Sequence, residues 1–373
     1  MQILKEIRNC GFSFPQLTKN YPEFTILKNT PQNSSYHAEG DVYCHTNMVC
    51  EKLIELSEWQ ELNPQEQELL FLSAAFHDIG KPICTKFENG EWISPKHTIL
   101  GEKEFRRLAY RNANHFGLSF AQRELVAKLI RYHGMPVWFW KKKRPEFNLM
   151  KASESIPLRL LYLLSKADLQ GRITTTSENL LENVELFAEY AKEQNIWEKS
   201  YAFSGLYTKF EYFHKDNLWC GAELYDNTEF DVILMSGLPL SGKDSWIEKY
   251  GANMPIISLD SIREEYKISP TKNSGKVAHI ARERARVLLR QKQPFIWNAT
   301  NIIQETRQKL VTLFADYGAR VHIIYLEVPY EKLFIRNQKR KRYIPENVLE
   351  EMICKLEIPD PWEAYKVTHI VQT

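Results

Sequence analysis

Histidine and aspartate side chains recur through the first half of the sequence in a pattern that suits metal binding. Imidazole and carboxylate together favour a divalent transition metal, which can lower the pKa of a bound water and make a nucleophile at neutral pH. A single histidine in a helical stretch is more often an ordinary polar contact, so the prediction depends on the joint arrangement. The residues assigned to it are His45, His77, Asp78, His97, His133 and Asp168.

The adjacent pair His77 and Asp78 sets a local requirement. Neighbouring residues point about 100° apart on an α-helix, so both can face one ion only near a helix end. Gly80 and Pro82 follow immediately and supply such an end. Asp168 lies inside the apolar run LLYLLSKADLQG, where a buried carboxylate needs a partner.

A glycine-rich turn in the second half has the spacing of a phosphate-binding loop. The segment GLPLSGKDSW follows the apolar stretch DVILMS and opens a helix, so backbone N–H groups can cradle phosphates while Lys243 reaches the β- and γ-phosphates of a nucleotide. The usual hydroxyl residue after the lysine is replaced by Asp244, which leaves the Mg²⁺ ligand open, since a carboxylate holds magnesium directly or through water. The residues assigned to nucleotide binding are Gly237, Ser241, Gly242, Lys243, Asp244 and Ser245.

Asp260 ends the predicted strand PIISLD. The carboxyl ends of parallel strands form the crevice where ligands bind, so Asp260 could accept a hydroxyl proton while Arg263 holds a phosphate of the acceptor. The alternative is that Asp260 only caps a helix. Further on, the basic run RNQKRKR precedes Pro345 and is either a solvated helix face or a lid over donor phosphates.

The apolar pattern changes along the chain. From about residue 40 to about 200 the spacing is mostly helical, whereas strands such as FDVILMS, PIISLD, FIWN and VHIIYLEV alternate with helices further on. We therefore predict a helical domain over 1–225 and an α/β domain with a parallel sheet over 226–373. Residues 205–228 are interpreted as a mixed linker or a terminal wing.

Composition narrows the class of protein. A length of 373 residues favours two domains, and the formal net charge of +2 does not by itself indicate a nucleic-acid-binding protein. Six cysteines without a Cys-x-x-Cys spacing argue against a zinc ribbon or a disulfide framework. The sequence shows neither a secretory leader nor an apolar stretch of membrane-spanning length, so we expect a cytoplasmic protein.

The order His45, then HDIGK, then Asp168 resembles the HD phosphohydrolase superfamily, an all-helical fold. The resemblance implies His45, His77, Asp78 and Asp168 as ligands of one divalent metal, with His97 and His133 as in members that hold a second ion. It also implies that Lys81 lies near the scissile phosphate, where an ammonium neutralises developing charge.

Other polar residues near these motifs have weaker assignments. His37, Glu39 and Asp41 are expected to be loop structure or substrate contacts rather than ligands. Arg131 and Arg172 are equally consistent with phosphate binding and with salt bridges.

The segments GLPLSGKDSW, SLDSIREEY, WNATN and RNQKRKRYIPENV are together similar to the 5′-hydroxyl polynucleotide kinase family. This resemblance implies Asp260 as general base, Arg263 as acceptor-phosphate contact, and Arg336 or Arg340 as the lid arginine. The cofactors implied are Mg²⁺ and ATP or another NTP.

The two domains in this order are similar to bacterial HD-domain phosphatase/polynucleotide kinase proteins. That resemblance implies repair of RNA or DNA strand ends, with a ligase as downstream partner. Two alternatives stay open: a phosphatase/kinase of nucleotides or small metabolites, and a nucleotide-sensing regulatory module.

Overall fold

The computed structural model describes residues 2–174, 177–251, 253–269, 273–340 and 342–372. It divides into two compact units, Met1–Tyr201 and Ala202–Thr373. The first unit is helical apart from one two-stranded hairpin, and the second contains a parallel sheet. The predicted order of a helical domain followed by an α/β domain with a parallel sheet is confirmed.

The first unit is built from helices with clear start signals. Asp41 caps α3 (Val42–Glu55) by accepting a hydrogen bond from the backbone N–H of Cys44. Helices α4 (Pro64–Phe76) and α8 (Phe120–Tyr132) each begin with a reciprocal capping box. Helices α3, α4, α8 and α10 pack on one another around the core. The helices are α1 Ile3–Asn9, α2 Phe14–Leu17, α3 Val42–Glu55, α4 Pro64–Phe76, α5 Lys81–Cys84, α6 His97–Arg111, α7 Ala113–Phe116, α8 Phe120–Tyr132, α9 Pro145–Ser153, α10 Leu158–Gln170 and α11 Ser177–Glu193.

Short elements connect these helices. Strands β1 (Lys86–Glu88) and β2 (Glu91–Ile93) form an antiparallel hairpin whose turn residues, Asn89 and Gly90, both have positive φ. The Asn-Gly pair was recognisable as a turn signal, but strands as short as these have too few residues for a periodic pattern. The 3₁₀-helices of the unit span Pro22–Leu27, Ser57–Glu61 and Pro136–Lys141.

The second unit contains a five-stranded sheet in the order β4-β5-β3-β6-β7, with every neighbouring pair parallel. Val232 and Leu234 of the central strand face a core shared with α15 and α16, whereas Met235 faces a second cluster that contains Ile247 of α13. Helices therefore cover both faces of the sheet. The strands are β3 Phe230–Ser236, β4 Ile256–Ser258, β5 Phe295–Asn298, β6 Ala319–Glu327 and β7 Lys366–Val371, and the helices are α12 Leu206–His214, α13 Lys243–Tyr250, α14 Leu259–Glu265, α15 Ser274–Arg290, α16 Gln304–Ala315, α17 Tyr330–Gln338 and α18 Glu346–Cys354.

The divide between the units lies earlier than residue 225. Helix α12 belongs to the second unit because Phe210 joins the core beneath the sheet, and because the ring of His214 stacks on Phe210 and contacts the carbonyl oxygen of Glu363. Residues 206–214 are thus an ordered helix of the α/β unit rather than a linker or a wing. The edge strand β7 was not predicted, because its six residues KVTHIV are half polar and contain no continuous apolar run.

Candidate metal centre and phosphate-binding loop

Three of the predicted ligands meet in the core of the first unit. Nε2 of His45 lies 3.0 Å from Oδ1 of Asp168 and 3.3 Å from Nε2 of His77, and all three side chains are buried. They come from α3, α10 and the residue that follows α4. The structure therefore brings together side chains that are far apart in sequence, and their three ligand atoms form a group able to hold one ion.

Asp78, His97 and His133 form a second such group beside the first. Oδ1 of Asp78 lies 3.6 Å from Nε2 of His97 and 3.9 Å from Nε2 of His133. The other oxygen, Oδ2, lies 3.1 Å from Nε2 of His77 and 3.7 Å from Nε2 of His45. One carboxylate thus faces both groups, which is an arrangement suited to bridging two ions.

Three of the four histidines donate Nδ1–H to a carbonyl oxygen outside the cluster, and Nδ1 of the fourth, His45, lies beside a carboxylate. Nδ1 of His77 donates to the carbonyl of Ala74, that of His97 to the carbonyl of Ser94, and that of His133 to the carbonyl of Ile130. Nδ1 of His45 lies 2.9 Å from a carboxylate oxygen of Glu39, a close polar contact that lacks hydrogen-bond geometry. A ring whose Nδ1–H is engaged presents the Nε2 lone pair to the centre, as metal-binding histidines do.

The end of α4 positions the His-Asp pair. The helix stops at Phe76, so His77 and Asp78 lie in the turn that follows, and both can face inward. Gly80 then allows α6 to approach, since a Cβ at residue 80 would lie 2.1 Å from the carbonyl oxygen of His97. This close contact sets where His97 enters the site.

Two cations neutralise the buried carboxylates. Burial opposes ionisation of Asp78, but Lys81, whose Nζ is 2.7 Å from Oδ2, and the neighbouring His77 hold the pKa of that carboxyl well below its usual value. Burial likewise opposes ionisation of Asp168, whereas Arg172 and His45 hold its pKa low. Nζ of Lys81 also donates to Gln32. Both aspartates are therefore available as anionic ligands at neutral pH.

The donor set fits a divalent cation. Oδ1 of Asp78 is buried and has no hydrogen-bond partner among the described residues, and its distances to the two facing imidazoles exceed those of hydrogen bonds. A mixture of imidazole and carboxylate donors suits a transition metal. An ion between these groups would satisfy the orphaned oxygen.

The loop before α3 lies against the candidate metal centre through Glu39, a residue predicted to be loop structure or a substrate contact. Oε1 of Glu39 lies 2.7 Å from Nδ1 of His37, and Oε2 accepts from the backbone of Ile173. Glu39 also faces His45, and the three side chains form a further group of ligand atoms. Asp41 has a structural role, because it accepts from the backbone of Asn29 as well as capping α3.

The phosphate-binding loop of the second unit connects β3 to α13. Gly237, Leu240 and Gly242 have φ of 137°, 68° and 99°, which fold the backbone into a tight turn. A Cβ at residue 237 would lie 2.4 Å from the carbonyl oxygen of Leu326, so glycine is required there. The first N–H groups of α13 have no intrahelical acceptor and form an anion site at its N-terminus.

Lys243 is folded back over its own loop. Its Nζ donates to the carbonyl oxygens of Gly237 and Leu238 at 3.0 and 2.7 Å and lies 3.5 Å from the hydroxyl of Ser241. Burial lowers the pKa of Lys243 to about 8, opposed by the nearby charges of Asp244 and Asp260. The ammonium is thus held at the loop, within a turn shaped for phosphate.

Two oxygen-bearing side chains predicted to take part in magnesium binding lie at the start of α13. Oδ1 of Asp244 accepts from Nδ2 of Asn298, at the end of β5, with a separation of 2.7 Å. Asp244 and Ser245 are both exposed at this end of the sheet. The carboxylate that replaces the usual hydroxyl is therefore oriented by an amide, and its second oxygen remains available for a hydrated ion.

Asp260 lies in the first turn of α14 and is exposed. Ser258 caps that helix by accepting from the backbone of Ser261, so the capping alternative for Asp260 does not apply. The guanidinium of Arg263 donates to the carbonyl of Ser269 and to the hydroxyl of Ser274. Asp260 thus has the exposure that a general base requires, while Arg263 is tied to the segment that leads into α15.

The two candidate lid arginines differ in their surroundings. Arg336, in the last turn of α17, donates to the carbonyl of Leu240 in the phosphate loop at 2.8 Å and to Gln372 at 3.0 Å. Arg340 is exposed, and its charge acts on Lys243. Asn337 exchanges hydrogen bonds with the backbone of Ile344, so these two residues, on either side of residues 339–342, lie together. Lys341, within that run, lies outside the described residues.

Comparison with known families agrees with this division. Residues 42–163 match the HD domain family, and residues 232–359 match the AAA domain family. One segment in each unit is thus similar to a known domain family, an HD domain in the first and an AAA domain in the second. No helix among the described residues is long and apolar enough to cross a membrane.

Individual relatives are distant. The chain is 24% identical over 146 residues to L-seryl-tRNA(Sec) kinase of Methanococcus maripaludis, covering 37% of this chain and 57% of that protein. It is 24% identical over 153 residues to heterogeneous nuclear ribonucleoprotein U-like protein 2 of Mus musculus, covering 35% of this chain and 20% of that protein. The chain thus spans little more than half of one curated relative and a fifth of the other. A solved structure from Chloroflexus aurantiacus aligns with a TM-score of 0.33 at 13% identity, covering 38% of this chain and 88% of that one.

Proposed function

We propose that this chain heals broken nucleic-acid ends, with RNA the favoured substrate. The HD domain removes a 2′,3′-cyclic phosphate, 2′-phosphate or 3′-phosphate, and the kinase-like domain transfers the γ-phosphate of an NTP to a 5′-hydroxyl. The observation that carries the proposal is the presence, in one chain, of a six-residue cluster that fits a metal and a phosphate loop with an exposed carboxylate, Asp260, beside it.

In the HD domain, the ligands proposed are His45, His77, Asp78 and Asp168, with His97 and His133 completing a second position. A divalent metal held there supplies a bound water of lowered pKa and an electrophile for phosphoryl oxygens. Lys81 and Arg172 keep Asp78 and Asp168 ionised, and the proposal assigns their cationic groups to the incoming phosphate.

In the kinase-like domain, the loop from Gly237 to Lys243 cradles the donor phosphates. Asp260 accepts the proton of the attacking hydroxyl, and Arg340 stabilises the charge that develops on the transferred group. Arg336 holds the loop at Leu240, which suits a residue that shapes the donor site. Mg²⁺ is assigned to Asp244, with Ser245 adjacent.

Two relatives support a nucleic-acid substrate. One is named as a kinase of seryl-tRNA and the other as a ribonucleoprotein. The product ends, 3′-hydroxyl and 5′-phosphate, are those that a ligase joins, so a ligase is the proposed downstream partner.

An oligoribonucleotide with a 5′-hydroxyl and a 2′,3′-cyclic phosphate tests the proposal directly. Incubation with NTP and divalent cations should yield a 5′-phosphate and a 3′-hydroxyl, resolved by mass spectrometry of both termini. A 5′-hydroxyl mononucleotide and a simple alcohol serve as comparisons. Equal turnover of the alcohol would support a metabolite enzyme instead, and absence of phosphate release with any metal or substrate would support a regulatory module.

A further inference from the structure

A short segment of the first unit combines exposed aromatic rings with consecutive positive charges. It follows Pro136 and Val137 and contains two tryptophans, three lysines and an arginine. We call it the basic-aromatic segment, and it consists of Trp138, Trp140, Lys141, Lys142, Lys143 and Arg144. Trp138 is 38% exposed and Trp140 46% exposed, and the three lysines are exposed as well.

The segment has a buried base that fixes the rings. In the 3₁₀-helix, buried Val137 and Phe139 alternate with the exposed tryptophans. Phe139 packs edge-on against Phe187 of α11 with ring centroids 5.6 Å apart, and Trp140 contacts Tyr190 at 5.7 Å. The outward rings therefore project from a packed element rather than from a loose loop.

The positive charges of the three lysines are not neutralised by ion pairs with described residues. Across the described part of the chain, no carboxylate forms an ion pair with Lys141, Lys142 or Lys143. Nζ of Lys141 lies 4.9 Å from the ring centroid of Trp138, and the guanidinium of Arg144 lies 4.1 Å from that of Phe147. Glu146 is the acidic residue within the same stretch. Cations and aromatic faces are thus displayed together.

This combination differs from a merely solvated face. Lysines alone often cover a surface, but exposed tryptophans placed beside unneutralised lysines match the two contacts that single-stranded nucleic acid offers. Bases stack on aromatic rings, and phosphates attract the cations.

The segment is also close to the candidate metal centre along the chain. His133 follows the last residue of α8, and Trp138 comes five residues later, so their Cα atoms are at most about 18 Å apart even if the chain were fully extended. About five nucleotides cover that distance even at the duplex rise of ~3.4 Å per nucleotide, and an extended single strand needs fewer.

We propose that the basic-aromatic segment binds single-stranded nucleic acid and holds the strand whose terminal phosphate enters the HD site. The statement that a phosphate-bearing end reaches the HD site rests on the proposed function. Binding of the strand to the segment does not depend on catalysis. Binding of a strand to the segment makes the HD site selective for strands over mononucleotides.

The test measures binding of a fluorescent oligoribonucleotide with a 5′-hydroxyl and no terminal phosphate, by anisotropy, to full-length protein treated with chelator. Lys141→Gln/Lys142→Gln/Lys143→Gln should weaken binding and lower the salt slope of log K by about 2, since each single-strand phosphate contact contributes about 0.7. A matched variant with the same charge change elsewhere, Lys5→Gln/Lys19→Gln/Lys52→Gln, should bind like wild type.

Trp138→Ala should weaken binding about 5- to 150-fold, the range for one lost stacking partner. Trp138→Phe should restore most of it, and Trp219→Ala, at a ring that is 72% exposed in the second unit, should have no effect. An oligodeoxyribonucleotide arm shows whether the 2′-hydroxyl contributes. Circular dichroism identifies any variant that fails to fold.

Unchanged oligonucleotide binding in both the lysine and the Trp138 variants would overturn the proposal. Binding of anionic vesicles that is lost in the lysine variant, with oligonucleotide binding intact, would assign the segment to a membrane surface and overturn it equally. If the lysine and Trp138 variants lose oligonucleotide binding while wild type releases no terminal phosphate, the binding role of the segment is supported and the proposed function is rejected. The two failures are therefore distinguishable.

Discussion

Glu39 places a carboxylate oxygen 2.9 Å from Nδ1 of His45, on the side of the imidazole away from the candidate metal centre. The same oxygen contacts His37 at 2.7 Å, and the side chain of Glu39 is almost fully buried. A carboxylate behind a metal-binding histidine fixes the orientation of the ring and raises its basicity as a ligand. The loop before α3 is thereby coupled to the cluster.

Replacing that carboxylate should weaken metal binding. Glu39→Ala should lower metal affinity about 10- to 100-fold, the usual effect of losing such an outer partner, and Glu39→Gln should lower it less because its amide oxygen keeps a polar atom beside Nδ1. Competition with a chromophoric chelator measures the affinity without any assay of turnover. Glu51→Ala, at an exposed position of α3, is the control, and an affinity equal to wild type in Glu39→Ala would remove Glu39 from this role.

The two sites should be separable by mutation. Asp78→Ala should abolish removal of the terminal phosphate and leave 5′-phosphorylation intact, because the cluster loses the carboxylate that faces both groups. Asp260→Ala or Lys243→Ala should do the reverse. Each variant is assayed on one oligoribonucleotide with both termini resolved, and simultaneous loss of both activities in any folded variant would refute independent sites.

Gly80 is expected to control the position of His97. An alanine at residue 80 would bring its Cβ to 2.1 Å from the carbonyl oxygen of His97, so the start of α6 must move. Gly80→Ala should therefore lower the amount of metal bound, mainly at the position of Asp78, His97 and His133. Gly134→Ala is a matched control, because a Cβ there meets nothing within 4 Å. Equal metal content in the two variants would argue against this role.

A buried ion pair should stabilise the second unit. Arg307 donates to both carboxylate oxygens of Glu363 at 2.6 and 2.9 Å, and both side chains are fully buried. Arg307→Met should lower the free energy of unfolding by about 3–5 kcal/mol, since it leaves a buried carboxylate without its partner. Arg320→Met, which breaks the exposed pair with Asp231, should lower it by no more than about 1 kcal/mol. Chemical denaturation measures both, and equal losses would contradict the assignment.

Long periodic segments made much of the fold predictable. The helical spacing of residues 120–134 and 157–172 anticipated α8 and α10, and the apolar strands anticipated β3 and β6. Short or half-polar elements carried too little pattern, as β7 and the β1–β2 hairpin show. Helix α12 was missed because its aromatic residues lie in a region whose composition looks mixed.

The candidate sites likewise contain some features that the sequence predicts and others that it does not. Residues that act through their type, such as His45 and Lys243, are recognisable from spacing. Contacts that depend on the folded chain are not: the carboxylate of Glu39 behind His45, the amide of Asn298 on Asp244 and the bond from Arg336 to the loop carbonyl arise from distant segments. The letters WFWKKKR carried a signal for the basic-aromatic segment, and the modest net charge of the whole chain obscured it.

The measurement that tests the central claim most directly is the metal content of purified protein, determined by plasma mass spectrometry after loading and exhaustive dialysis. Wild type should retain a divalent transition metal, His97→Ala/His133→Ala should retain less, and folded Asp78→Ala should retain almost none. Equal metal content in all three proteins, or no retained metal in wild type, would contradict the assignment of the buried cluster as a metal centre.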